Sequence, residues 1–382
     1  MPTIRGTVGG RLGARLLWGA GLVCGAMAAA SAAPPCENVV LVTTDGLRWQ
    51  ELFGGAEEGL IDPEQGGVAE PRLLRQKYWA DDPRTRRERL MPFFWRTLAR
   101  EGQVVGNPDR GSVVRCANGR YFSYPGYSEL LCGFSDPSID SNDKIPNPSA
   151  SVLEWLNGQP EFAGRVAAFA SWDVFPAILN VGRSGIYVNA GWQPLEAFHP
   201  SQQREIAQWN RAAGELPRMW EGVRYDLFTF RGAMAYLEAK QPRVLYLALG
   251  ETDDWCHEGE YDLYLDAARR VDGYLEELWK FLQGSPRYAG KTALLITTDH
   301  GRGSGPVGWK SHGAEHPGSD LIWIAGLGPG IPPRGERAEL TASQGQVAST
   351  LAALAGRDYC RDEPRAAPPI RWQESEASRG AE

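Results

Sequence analysis

Histidine is scarce in this chain, five residues in 382, and several features that would assign a function quickly are missing altogether. There is no basic stripe. The formal net charge is −7, and the one short cationic run is "RTRRER", Arg84–Arg89. A nucleic-acid surface needs Lys and Arg along one face to neutralise phosphates, so no nucleic-acid partner is expected. No CxxC pair occurs, which argues against a structural zinc knuckle. Beyond the N-terminus no stretch reaches about 18 apolar residues, so no stable membrane insertion is expected. No internal repeat is visible, and the 14 Trp and 13 Tyr read first as core packing.

At the N-terminus, Arg5, Arg11 and Arg15 precede the apolar run "LLWGAGLVCGAMAAA" and the small residues Ala30-Ser31-Ala32. A charged region, an apolar region and an A-x-A site predict a signal peptide over 1–32 and a periplasmic or secreted protein. Cys24 would leave with it, and Cys36, Cys116, Cys132, Cys256 and Cys360 would remain. An oxidising compartment permits disulfides, and Cys116 with Cys132, which bracket one loop, is the expected bridge.

Four apolar runs read as buried parallel strands: Asn38–Gly46, Arg243–Asp254, Thr292–Gly301 and Asp320–Pro329. Between the second and third, Leu263, Ala267, Val271, Leu275, Leu278 and Leu282 recur at helical spacing up to Gly284. Strand, helix, strand in that order predicts an α/β fold with a doubly wound, mostly parallel sheet sandwiched by helices. Further helices are expected at "MPFFWRTLARE", "SASVLEWLN" and "SQGQVASTLAALAG". A single catalytic domain over 33–361 is expected, with a Trp-, Pro- and Gly-rich cap insertion near 183–224 and a disordered tail over 362–382.

In open parallel sheets, ligands bind beyond the carboxyl ends of the strands. Three of the runs deliver acids or imidazoles there: Asp45; Asp253 and Asp254 with His257; Asp299 and His300. The fourth is preceded by His312 and His316. One Asp at a strand end is commonly a turn or cap residue. Three strand ends with four of the five histidines nearby point instead to a divalent metal, since carboxylates without cations between them repel. In "NGRYFSYPGYSELLCG", Ser123 lies in an aromatic turn before an expected helix start at Tyr127–Leu131. Its hydroxyl becomes a nucleophile only with a base or metal beside it.

This ordered set resembles the alkaline phosphatase superfamily, most closely its nucleotide pyrophosphatase/phosphodiesterase-like branch. "TTDG" supplies Asp45, "FSYPGYSELLCG" Ser123, "ETDDWCH" Asp253 and His257, "TTDHG" Asp299 and His300, and "SHG" His312; together they span most of residues 38–355. The resemblance implies two divalent metal ions, zinc first. Asp253, His257 and His312 would hold one, and Asp45, Asp299, His300 and the Ser123 oxygen the other. It implies an exported phosphoric ester hydrolase, phosphatase or phosphodiesterase, with Ser123 as nucleophile and a phosphorylated small molecule, lipid or glycan as substrate. Where that branch often has an Asn three residues after the nucleophile, this chain has Gly126, which leaves a phosphoryl oxygen to a backbone N–H or to Asn142. Arg48 and Arg302 are the arginines available for phosphate, and His316 competes with His312 as third ligand or stands at the rim as a substrate contact. The alternatives are a sulfatase or phospho-group transferase on the same fold, or an inactive binding protein. "CANGR" (Cys116–Arg120) resembles a sulfatase signature but has Asn118 where that signature needs Pro.

Overall fold

The computed structural model describes residues 35–372. The expected signal peptide and residues 373–382 lie outside the described residues. Eleven strands are present: β1 Asn38–Thr44, β2 Gln103–Val105, β3 Val113–Arg115, β4 Val166–Ala170, β5 Tyr187–Ala190, β6 Val244–Leu249, β7 Thr292–Thr297, β8 Leu321–Ile322, β9 Ile324–Leu327, β10 Gly335–Glu336 and β11 Thr341–Ser343. Eight form one sheet in the order β10-β2-β9-β7-β1-β6-β4-β5, and β11-β3-β8 form a small second sheet.

The continuous apolar runs are explained by burial on both faces of the large sheet. Along β1, Val39 and Leu41 enter one core while Val40 and Val42 enter the other. Along β6 the same alternation separates Val244, Tyr246 and Ala248 from Leu245, Leu247 and Leu249. The helix predicted between β6 and β7 runs Tyr261–Gly284 and buries Leu265, Ala268, Val271, Leu275, Leu278 and Leu282. At about 25 cal/mol per Å², such stripes are the main favourable term holding helices to the sheet.

Four features differ from expectation. The run at 320–329 does not add a parallel strand: β9 lies antiparallel between β7 and β2. The one helix in its connection to β7 is the short Gly305–Gly308, alongside β8 of the small sheet, and a chain without a full crossover helix returns antiparallel. Within the segment 183–224, Tyr187–Ala190 is the sheet's edge strand, and helix Gln203–Glu215 follows it. The stretch expected to be disordered from Asp362 is packed as far as Trp372. Ala366, Ile370 and Trp372 are buried, and Gln103 donates to the Trp372 carbonyl at 3.0 Å. A few apolar anchors decide this, and the polar average composition of the tail conceals them. The expected bridge is also absent: Cys116 and Cys132 are both free. The Cys116 thiol donates to the Asp299 carbonyl at 3.5 Å, while Cys132 faces Ser128 and Asn147.

Candidate metal centre and active site

β6, β1 and β7 are neighbours running in one direction, with Thr44 beside Leu249 and Thr43 beside Thr297. The residues that follow them therefore emerge together at one edge. Asp45 follows β1, and Thr298, Asp299 and His300 follow β7. Helix Glu251–Glu258 begins one residue after β6, and its period places Asp253 and His257 on one face. The start of that helix is fixed by Asp226, whose carboxylate accepts N–H bonds from Gly250 at 2.8 Å and Glu251 at 3.2 Å, and the Ser171 hydroxyl at 2.6 Å.

Two groups of ligand-type side chains meet here, each with its atoms within 4.8 Å of one another: Asp253, His257 and His312; and Asp45, Asp253 and His300. In the first, His257 Nε2 is 3.2 Å from Asp253 Oδ2 and 3.0 Å from His312 Nε2. In the second, His300 Nε2 is 3.3 Å from both Asp45 Oδ1 and Asp299 Oδ2 and 3.7 Å from Asp253 Oδ1. Asp253 thus stands in both groups, where the resemblance assigns it to one metal, because its two oxygens face different histidines. His316 is in neither group; its ring lies 3.7 Å from Glu315.

The chemistry of these donors fits bound cations. His300 Nδ1 lies 3.0 Å from the Gly301 carbonyl, which can only accept, so Nδ1 carries a proton and Nε2 is the ring atom turned to the carboxylates. Asp45 Oδ1 and Asp299 Oδ2 are buried with no hydrogen-bond partner. Two unpartnered carboxylate oxygens and a ring nitrogen converge here, an arrangement that a metal ion could satisfy. Burial first, then the neighbouring Asp253, pushes the Asp45 carboxyl well above the usual range; burial and Asp45 do the same to Asp299. At Asp253 burial acts in the same direction, but Arg302 and His257 outweigh it and hold the carboxyl well below its ordinary value. Burial, followed by His300, pushes His312 down to about 2, so His312 is a neutral ligand-type ring.

Ser123 opens helix Ser123–Cys132, four residues before the expected helix start, with extended Phe122 before it. Its Oγ lies 3.5 Å from His300 Nε2. Gly126 sits in the helix's first turn, where a Cβ would fall 2.4 Å from the Asp299 carbonyl oxygen. No side chain fits there, so Gly126 packs the helix onto the end of β7 and offers nothing to a ligand. Asn142 compensates. Its Oδ1 accepts the Tyr124 N–H at 3.0 Å, which turns the amide NH₂ away from that bond, and the residue lines the cleft. The cleft is about 220 Å³, lined by Asp45, Ser123, Asn142, Asp253, His257 and His312 together with Trp172, Val223, Gly250 and Asp254.

Neither candidate arginine is free for phosphate. Arg302 is fully buried, paired with the Asp253 carboxylate, and donates to the Lys310 carbonyl at 2.9 Å. Arg48 is buried against Glu51, with Glu57 at 3.1 Å. Ser128, the other serine of the helix, accepts from Asn147 at 3.1 Å inside the core. Sequence reasoning missed Tyr127, whose hydroxyl donates to Asp45 Oδ2 at 2.8 Å, and it missed Trp172 and Val223 in the wall. A buried tyrosine four residues after a candidate nucleophile, on the same helical face, was the available signal for the first; the wall residues carry none.

No protein-family model matches the chain. Mouse GPI ethanolamine phosphate transferase 1 is 23% identical over 306 residues, which is 78% of this chain and 27% of that protein. The chain therefore spans little more than a quarter of the length of that curated relative. Among solved structures, the alkaline phosphatase PafA superposes with a TM-score of 0.57 at 12% identity, covering 89% of this chain and 99% of that one. A protein in the alkaline phosphatase superfamily from Vibrio parahaemolyticus gives 0.54 at 13% identity, covering 89% and 71%. The central sheet, its flanking helices and these superpositions agree: the chain has the fold of the alkaline phosphatase superfamily.

Proposed function

We propose that this chain is a metal-dependent hydrolase of phosphoric mono- or diesters with Ser123 as its nucleophile. One observation carries the reading: Ser123 Oγ, at the start of its helix, lies 3.5 Å from His300 Nε2 in the same cleft as both Asp/His groups. Asp253, His257 and His312 would hold one divalent cation, and Asp45, Asp299 and His300, with Ser123 Oγ, a second; zinc suits such mixed nitrogen and oxygen donors. When bound, the two cations lower the pKa of the serine hydroxyl and neutralise charge on the phosphoryl group. Ser123 Oγ, its proton lost to solvent, bonds to phosphorus as the bond to the leaving alcohol breaks and that oxygen takes a proton. Water then cleaves the phosphoserine and restores the hydroxyl. The Asn142 NH₂ supplies the donor that Gly126 lacks for a phosphoryl oxygen, and Tyr127 holds Asp45 in place.

A formylglycine sulfatase is the weaker reading, because Cys116 is buried against Asp299 and Ser123 occupies the cleft. Transfer to an alcohol in place of water would need the same residues. Purified protein is to be assayed for zinc and for turnover of p-nitrophenyl phosphate, bis-p-nitrophenyl phosphate, a phosphonate monoester and a sulfate. We expect turnover of a phosphorus ester, lowered at least about a thousandfold in Ser123→Ala with metal content retained. A Ser123→Ala enzyme within about tenfold of wild type removes Ser123 as nucleophile.

A further inference from the structure

The cleft contains one ionisable group that neither proposed metal site uses. Asp254 follows Asp253 on helix Glu251–Glu258, lines the cleft and is half-buried. Among the described residues its carboxylate has no hydrogen-bond or ion-pair partner. A carboxylate partly withdrawn from water without a partner is unfavourable unless a cation reaches it. Trp172 and Val223 also line the cleft, and their backbones pair with each other as an isolated antiparallel bridge. No Lys or Arg lines the cleft. Arg302 is committed to Asp253, and Lys144, two residues beyond Asn142, is committed to Asp173 at 2.6 Å. A negatively charged group placed at Asp254 itself would meet a repulsion that no Lys or Arg of the lining offsets.

We infer that the ester taken by this cleft carries an ammonium group, primary or quaternary, bound by Asp254 with Trp172 in the same cleft wall. The substrate class is then phosphoesters of amino alcohols. A carboxylate and an indole together suit such a group: the first supplies charge, the second an aromatic face that attracts a cation. This assignment rests on the phosphoester chemistry proposed above.

The test compares two diesters of equal shape, p-nitrophenyl phosphorylcholine and its neutral carbon analogue p-nitrophenyl 3,3-dimethylbutyl phosphate, with p-nitrophenyl phosphate as reference. Wild type is expected to favour the cationic diester in kcat/KM by about tenfold or more. Asp254→Asn is expected to bring that ratio to about threefold or less, and Asp254→Glu to keep part of it. A purely structural role for Asp254 would lower both rates and leave the ratio alone, which overturns the assignment. Turnover of p-nitrophenyl phosphate with no preference for the cationic diester, or no turnover of it, overturns this assignment alone. Turnover of none of the three overturns the phosphoester reading, and this one with it. Glycerophosphoethanolamine in solution and dioleoyl phosphatidylethanolamine in vesicles, each set against its glycerol-headgroup counterpart, separate a soluble ester from a lipid headgroup. Preference for the amine in either form supports the assignment, and preference in neither overturns it.

Discussion

His257 and His312 face each other with their Nε2 atoms 3.0 Å apart. His312 Nδ1 lies 3.2 Å from the Tyr121 carbonyl, which fixes its proton there and leaves Nε2 bare. Between such a pair either a proton or a metal must sit. We expect His312→Ala to lose about one equivalent of zinc and nearly all activity, since a zinc with three protein ligands tolerates no such loss. His316→Ala, at a ring 3.7 Å from Glu315 and outside both ligand groups, should keep its zinc. Elemental analysis of both variants checks this, and the opposite pattern reverses the two assignments.

Tyr127→Phe should leave the fold intact and weaken metal binding. The hydroxyl donates to Asp45 Oδ2, and groups that orient a ligand in this way typically contribute about 10- to 100-fold in affinity. Competition with a chelator, followed by residual activity, measures the effect. Affinity within twofold of wild type would show that Asp45 is held by other means.

Gly126→Ala should destabilise the protein by about 1–3 kcal/mol, the usual cost of forcing a methyl group into a filled core. Here the obstacle is the Asp299 backbone oxygen, 2.4 Å from where the Cβ would lie, so a side-chain rotation cannot relieve it. Denaturant unfolding gives the number, and an unchanged midpoint would contradict the contact.

Asp272 caps the helical turn at Phe94–Leu98 from another helix, accepting the N–H groups of Phe93 at 3.0 Å and Phe94 at 2.8 Å. Burial raises its carboxyl from 3.8 to about 6, more than those two donors lower it. The folded state therefore holds this proton more tightly than the unfolded chain. Its contribution to stability is greatest below about pH 4, declines as pH rises towards 6 and is flat above that. Asp272→Asn lacks this slope and also loses one acceptor for a buried N–H, at a cost of about 1–3 kcal/mol. Urea melts at pH 4.5 and 7.5 should show a larger wild-type advantage at the lower pH. A larger advantage at pH 7.5 would refute the sign.

Much of this arrangement was legible in the residues. Two-faced apolar runs announced β1, β6 and β7, the helical stripe closed by Gly284 announced its helix, and acids placed just past the strands marked the cleft. What stayed hidden has physical causes. The direction of β9 depends on what crosses the sheet before it, and Leu321–Leu327 carries no trace of that. The role of Gly126 depends on a backbone oxygen 173 residues away, since Asp299 meets it only in the folded chain. The burial of Arg48 and Arg302 depends on which carboxylates their guanidinium groups reach, so sequence could offer both for phosphate but could not show that both were already committed. Ile370 and Trp372 were submerged in a polar tail, where two anchors outweigh the average.

The pairing of Trp172 with Val223 has a consequence for how this cleft could change. The metal-type ligands are rooted at strand and helix ends in the middle of the sheet, whereas this part of the wall comes from two chain segments stapled to one another beside it. The metal-type ligands and the Trp172–Val223 part of the wall thus hang on different pieces of backbone. A library varying Trp172 and Val223 would reshape this wall while leaving the candidate ligand set and Asn142 in place, a division of labour that lets one scaffold diversify without first losing its site.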